Sequence, residues 1–253
     1  MDVPLLALVT AVLSLCTAAF IVHSFPWLAR PRLGAETIVL GPGDTPILVV
    51  SDLHLGSRRS LGAKVVRLIA SGRFKTVVVA GDLVDERSGF SSKAVDLLEK
   101  LLVSGARTII FVPSSSSHDF GPLPGEPLAS RSERGRVVVV PRAARIVVEG
   151  CRGSLYVSHG DYASRNGVLA HLLDTALGRL LHKPFTGVVL RRVLGAGELD
   201  WVVHGHTHLA AEHGHLRIIS TGCWVQRPHE SMQIAFAAVL CRRGVLVARL
   251  YTL

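Results

Sequence analysis

From residue 46 onward, apolar runs of strand length alternate with segments whose apolar positions recur every three to four residues. The stretches 46–52 (PILVVSD), 75–82 (KTVVVAGD) and 107–114 (RTIIFVPS) read as strands, with helices between them at 61–72 and 91–105. The strand runs are apolar at successive positions, so both faces must be covered, which implies parallel pairing in a layered α/β arrangement. After residue 135 the pattern changes. The stretches 136–141, 145–150 and 154–161 are strand-like with short connections. A helical stretch covers about 163–197 with breaks near Pro184 and Gly187, and 200–208, 216–222, 233–241 and 244–253 read again as strands. Two sheets, the second richer in antiparallel pairs, accommodate this order.

Ahead of these elements, residues 3–22 carry no formal charge. As a helix rising about 1.5 Å per residue, they would span the roughly 30 Å of a bilayer core. The chain begins Met1-Asp2, without the cation that opens a cleaved signal, and Arg30 and Arg32 follow the span. The expectation is an uncleaved single-pass anchor in the cell membrane, with the rest of the chain facing the cytoplasm. Residues 1–25 are then the anchor, 26–45 a Pro- and Gly-rich linker running into a first short strand, and 46–253 the globular domain.

Composition narrows the classes. Hydrophobic residues make up 49% of 253, too many for a disordered chain. The 24 Gly and 12 Pro follow no collagen-like period, and one uncharged stretch cannot make a multi-span transporter. The net charge of +9 comes mostly from 23 Arg against five Lys. A basic surface beside an anchor suits anionic headgroups. It could also attract nucleic acid, but the aromatic residues, at 6%, do not interleave with the arginines as stacking on single strands requires. Cys16, Cys151, Cys223 and Cys241 show no CxxC spacing and agree with a reducing compartment.

The ends of the predicted strands hold the chemistry, since ligands of α/β proteins bind at the carboxyl ends of strands. The first ends Asp52-Leu53-His54, the second Gly81-Asp82-Leu83-Val84-Asp85, and the third runs into Ser117-His118-Asp119. Later strands end His159-Gly160-Asp161 and His204-Gly205-His206-Thr207-His208. Any one of these motifs arises by chance. Five in order, each offering a carboxylate or an imidazole to one edge, would bury groups that repel or go unpaired unless cations neutralise them. Mixed nitrogen and oxygen donors suit Mn, Fe, Zn, Co or Ni better than Mg or Ca, and two divalent ions, Mn²⁺ first, are the expectation.

The order D-x-H, G-D-x-x-D, [GN]-H-[DE], H-G-D, G-H-x-H resembles that of the calcineurin-like metallophosphoesterases over about residues 46–225. The resemblance implies a four-layer αββα sandwich, two mixed β-sheets flanked by helices, with two divalent metals where strand ends meet loops. It implies that Asp52, His54 and His208 hold the first metal, that Asp82 bridges both, and that His159 and His206 hold the second. His118 takes the place of the catalytic imidazole and Asp85 that of the carboxylate orienting it. Two cations about 3.5–4 Å apart lower the pKa of a shared water, so a metal-bridging hydroxide is available to attack phosphorus. A positioned imidazole adds about 10²–10⁴-fold. Arg58 and Arg59, just past the first motif, are candidates for gripping the substrate phosphate. The implied activity is hydrolysis of a phosphodiester, a pyrophosphate or a phosphomonoester on a small-molecule or lipid-linked substrate.

One position departs from the family pattern. Ser117 stands where the family has an Asn whose carbonyl completes the second metal's shell, and a hydroxyl is a shorter, weaker ligand. The chain's single Asn, Asn166, is a candidate replacement. This departure motivates the alternative of a catalytically weakened metal-binding protein at the membrane, as the positive charge motivates that of a nucleic-acid phosphodiesterase. The stretch Ser220-Thr221-Gly222-Cys223-Trp224 is similar to the block after the last His motif in the subgroup containing UDP-2,3-diacylglucosamine pyrophosphatase, which implies a nucleotide-type diphosphate or a lipid tail on the substrate.

Overall fold

The computed structural model describes residues 3–85, 98, 100–102, 104–115, 119, 128–132, 135–225 and 234–253, with backbone alone at 3–8 and 128–132. Strands β2 (Ile47–Val50), β3 (Thr76–Ala80) and β4 (Thr108–Val112) lie side by side and parallel, and their residues alternate between two cores. Leu48, Val50, Val77, Val79, Ile109 and Phe111 pack with Val65 and Ile69 of helix α3 (Ala63–Ala70) and with Leu98, Leu101 and Leu102. Their neighbours Ile47, Val49, Val78, Ala80, Ile110 and Val112 belong to a second core, shared with Ile146, Leu155, Val157, Val203 and Ile219. Period-two alternation with both faces apolar therefore buries each strand completely.

The sheet is completed by β6 (Gly135–Val139) and β5 (Leu128–Ser132) beyond β4, and by β12 (Ala235–Arg242) and β13 (Val245–Thr252) beyond β2. The opposing six-stranded sheet runs, in spatial order, β1 (Glu36–Leu40), β7 (Ala143–Val148), β8 (Leu155–Ser158), β9 (Trp201–His204), β11 (Ile218–Thr221) and β10 (Ala210–His213). Both sheets are mixed. Within the second, β8, β9 and β11 are parallel, whereas β7 and β10 run against their neighbours β8 and β11.

Its outer face, with Tyr156, Val202 and Ile218, packs on Val189, Leu190 and Val193 of helix α5 (Phe185–Val193). Preceding α5 is α4 (Gly167–Leu181), and the break between them falls at His182, in the left-handed region at φ +53°, and at Pro184, which caps α5. Gly187, expected as a second break, instead lies inside α5. A Cβ there would overlap Ile218 and come within 3.2 Å of His204 Nε2, so glycine lets the helix lie close on β11. The layers are helix, sheet, sheet, helix.

Two expectations are corrected. Helix α1 forms over Val3–Ser24, but among the described residues no helix is long and apolar enough to cross a membrane. The end of α1 is tied down to the domain: Ser24 is buried and its carbonyl accepts from Arg165 N at 2.9 Å, and Phe25 meets Phe185 edge to face. The single-pass anchor and its cytoplasm-facing orientation fall with this finding. A short helix α2 (Pro26–Ala29) follows, and within the stretch read as a linker, β1 pairs parallel with β7 at the edge of the six-stranded sheet.

The second correction concerns the cysteines. Cys151 and Cys241 form a disulfide with Cα atoms 5.9 Å apart. Cys241 lies past Val239, which pairs with Ile47 at the start of β2, and Cys151 precedes β8. The bond therefore joins the two sheets at the amino ends of β2 and β8, the end away from the strand-end motifs. Sequence spacing gave no hint of it, because only the sheet pairing brings residues 90 apart together. Reducing this bond, or replacing both cysteines with serine, is expected to remove about 2–4 kcal/mol of stability, read as a lower urea midpoint. A midpoint indifferent to reductant would contradict the staple.

Candidate metal centre

The expected ligands do not sit on the strands themselves. β2, β3 and β8 stop before Asp52, Asp82 and His159, and β9 stops at His204, two residues before His206. Among the described residues, nine non-glycine residues have positive φ, and five of them are Asp52, His54, Asp82, His206 and His208. That conformation is costly for residues with a Cβ and persists where the surroundings fix it. At these positions the chain turns sharply at the strand ends, so that Asp52 and His54, and His206 and His208, reach the site from turns rather than from extended strand.

Backbone contacts hold these turns. Asp52 N donates to Gly81 O at 3.1 Å, His54 N to Asp82 O at 3.0 Å, Gly205 N to His159 O at 2.9 Å, and Trp224 N to Asp52 O at 3.0 Å. Gly81, at φ +73°, lies so close to the His159 ring that any Cβ would overlap it. Asp119 is the organiser that sequence reading passed over. Buried at the end of the third motif, its carboxylate accepts from Asp82 N (2.8 Å), Leu83 N (2.8 Å) and Ser114 N (2.6 Å), while Ser114 Oγ donates to Asp82 Oδ1 at 2.7 Å. Its place beside His118 in the motif was the available signal.

Two groups of side chains result, one on each side of Asp82. On the first, His208 Nε2 is 3.2 Å from Asp52 Oδ1 and His54 Nε2 is 3.8 Å from Asp82 Oδ2. One donor atom each from Asp52, His54 and Asp82 lies within 4.8 Å of the others, as does one each from His54, His208 and Cys223. On the second, His159 Nε2 is 3.5 Å from Asp82 Oδ1 and 3.2 Å from His206 Nδ1. His159 Nδ1 lies 2.9 Å from Ala80 O and His206 Nε2 lies 2.7 Å from Ser164 O. Since a carbonyl only accepts, each outer nitrogen carries the proton. The inner nitrogens of neutral rings then present lone pairs to each other, which repel unless a cation lies between them. The residues fit divalent metals.

Electrostatics points the same way. Burial alone would raise the Asp52 carboxyl, but the hydrogen bond from His208 and the charges of His159 and His208 hold it well below the usual range. Burial would lower His159, yet Asp82, Asp52 and Asp161 push it up to about 9. His208 is likewise lifted to about 10, against burial, by Asp52 and Cys223. His206 is lowered by burial and by the charge of His159, and burial raises Asp119 to about 6. In the metal-free chain, protons on imidazoles do the neutralising.

The remaining candidates are less gathered. Asp85 Oδ1 lies 3.4 Å from His54 Nδ1, and its expected partner His118, with Ser117, lies outside the described residues. Arg58 and Arg59 are exposed, and among the described residues no hydrogen bond or ion pair ties them to the cluster. Asn166 is engaged elsewhere: its side chain accepts from Leu169 N at 3.0 Å and caps α4.

The chain belongs to the calcineurin-like phosphoesterase family, whose model matches residues 45–210, and it is a metal-dependent phosphoester hydrolase. No curated protein matches the sequence. Among solved structures, a conserved uncharacterized protein of Streptococcus pneumoniae, titled a predicted phosphoesterase, is 15% identical over 82% of this chain and 97% of that one, with a TM-score of 0.35. The nuclease MPE of Pseudomonas putida is 16% identical over 84% and 89%, with a TM-score of 0.36.

His159 and His208 titrate near 9 and 10 when folded, against 6.5 as the ordinary value. Between those limits the folded metal-free chain holds more protons than the unfolded one. Their stabilisation is therefore complete below about pH 6.5 and lost as pH climbs through about 9–10. The melting temperature of chelator-treated protein should fall from about pH 7 to about pH 9.5; a rise over that interval would contradict the assignment.

Proposed function

We propose that the chain hydrolyses a phosphodiester or diphosphate bond with two divalent ions. Asp52, His54 and His208 hold one ion, His159 and His206 hold the other, and Asp82 bridges them. The observation that carries this reading is the orientation of Asp82, with Oδ2 toward His54 and Oδ1 toward His159. When bound, such a pair supplies a nucleophile from water at neutral pH and offsets the charge that grows on the phosphoryl oxygens during in-line displacement.

The chain's own residues do the rest. Ala80 O and Ser164 O fix the tautomers of His159 and His206, so the inner nitrogens stay free for ligation. Asp119 holds the backbone of Asp82 and Leu83, setting where the bridging carboxylate points. Asp85 is proposed to orient His54, and His118, from its place in the third motif, to protonate the leaving oxygen. A substrate with an apolar part is supported by α4. Its first residue, Gly167, lies against His206, and Val168, Leu172, Leu180 and Leu181 along it are exposed.

The test is turnover of chromogenic phosphodiesters and of diphosphates, with and without an alkyl tail, by metal-loaded protein. Asp82→Asn should lower kcat more than about 100-fold, beyond the loss typical of residues one step outside a metal's ligands. The tailed diphosphate should show the lower KM. An Asp82→Asn variant as active as the unmodified protein, or no hydrolysis of any mono-, di- or pyrophosphate ester, would refute the proposal. Equal KM values would remove only the apolar part.

A further inference from the structure

The strand β11 ends in Thr221, and the chain passes through Gly222 and Cys223 to Trp224 directly over the first group of ligands. Cys223 is 2% exposed and is not in the disulfide. Its Sγ lies 3.8 Å from Asp52 O, and the sulfur shares a 4.8 Å neighbourhood with one nitrogen each of His54 and His208. Three contacts fix the segment. Trp224 N donates to Asp52 O at 3.0 Å, Leu61 N donates to Trp224 O at 2.7 Å, and Gly222 N donates to Leu209 O at 3.1 Å. Trp224 itself is completely buried, so the loop is anchored by a large side chain just after the thiol.

A buried cysteine usually acts as a small hydrophobe among apolar side chains. This one faces two imidazoles and lies against the backbone of Asp52, at a point where the donors already gathered are oxygen and nitrogen. We infer that Cys223 is a sulfur ligand of the ion held by Asp52, His54 and His208, and that it biases this position toward zinc and away from manganese. The inference rests on the dinuclear reading above and refines it: thiolate is a soft donor that favours Zn²⁺, whereas oxygen-rich sets suit Mn²⁺ and Mg²⁺. Binding would release the thiol proton to solvent, with no change of oxidation state.

Cobalt substitution of the full chain tests this without reference to activity. The cobalt protein should show a near-ultraviolet thiolate-to-cobalt charge-transfer band, lost in Cys223→Ser and retained in Cys16→Ser. Cys223→Ser should also weaken zinc relative to manganese by about tenfold or more, at least the loss seen for residues one step further out. Zinc X-ray absorption of the unmodified protein keeps the test independent of whether the variant folds, and should show sulfur at about 2.3 Å, one per pair of bound zinc ions. A zinc shell of nitrogen and oxygen alone, or a charge-transfer band that survives in Cys223→Ser, overturns the inference and leaves the dinuclear reading standing. A chain that takes up no cobalt overturns both.

Discussion

Backbone carbonyls decide what the imidazoles of this protein can do. Ala80 O and Ser164 O take the outer nitrogens of His159 and His206, and the two inner nitrogens are left facing one another at 3.2 Å beside a carboxylate. Neutral rings so arranged repel. A positive charge must enter, and the chain offers two ways to admit it: a proton, as the raised His159 records, or a metal. The rest of the site follows from this one constraint, because Asp82 and Asp52 are buried where only such a charge makes their ionisation tolerable.

The fold serves that arrangement by separating what must be stiff from what must be strained. Two sheets share an apolar core, and the parallel strands of both deliver their carboxyl ends to one pole. There the chain turns through left-handed conformations at Asp52, His54, Asp82, His206 and His208. Asp119 and the backbone bonds between the turns hold those conformations in place. At the far pole the Cys151–Cys241 disulfide ties the two sheets together, so the strained end does not have to supply the cohesion.

Much of this was legible in the sequence, for physical reasons. Uninterrupted runs such as VVVA at 77–80 can be buried on both sides only in a layered α/β fold, and carboxylates and imidazoles at the ends of such runs are too costly to gather without a cation. What the sequence hid was mostly non-local. Cys151 and Cys241 meet through sheet pairing rather than spacing. Asp119 stands beside His118 in the third motif, but its role as acceptor of three backbone donors comes only from the fold. Gly187 has the composition of a helix break and serves instead as the point of closest approach between α5 and β11. The N-terminal apolar run was legible as a helix, but its length and hydropathy did not reveal that its end docks on Arg165 and Phe185.

Counting bound metal addresses the central claim most directly. Protein equilibrated with excess divalent metal and then freed of unbound ions should retain two ions per chain, and His159→Ala should retain one while the fold, followed by circular dichroism, persists. Retention of none, or a stoichiometry that His159→Ala leaves unchanged, would contradict the view that these turned strand ends exist to hold a pair of cations.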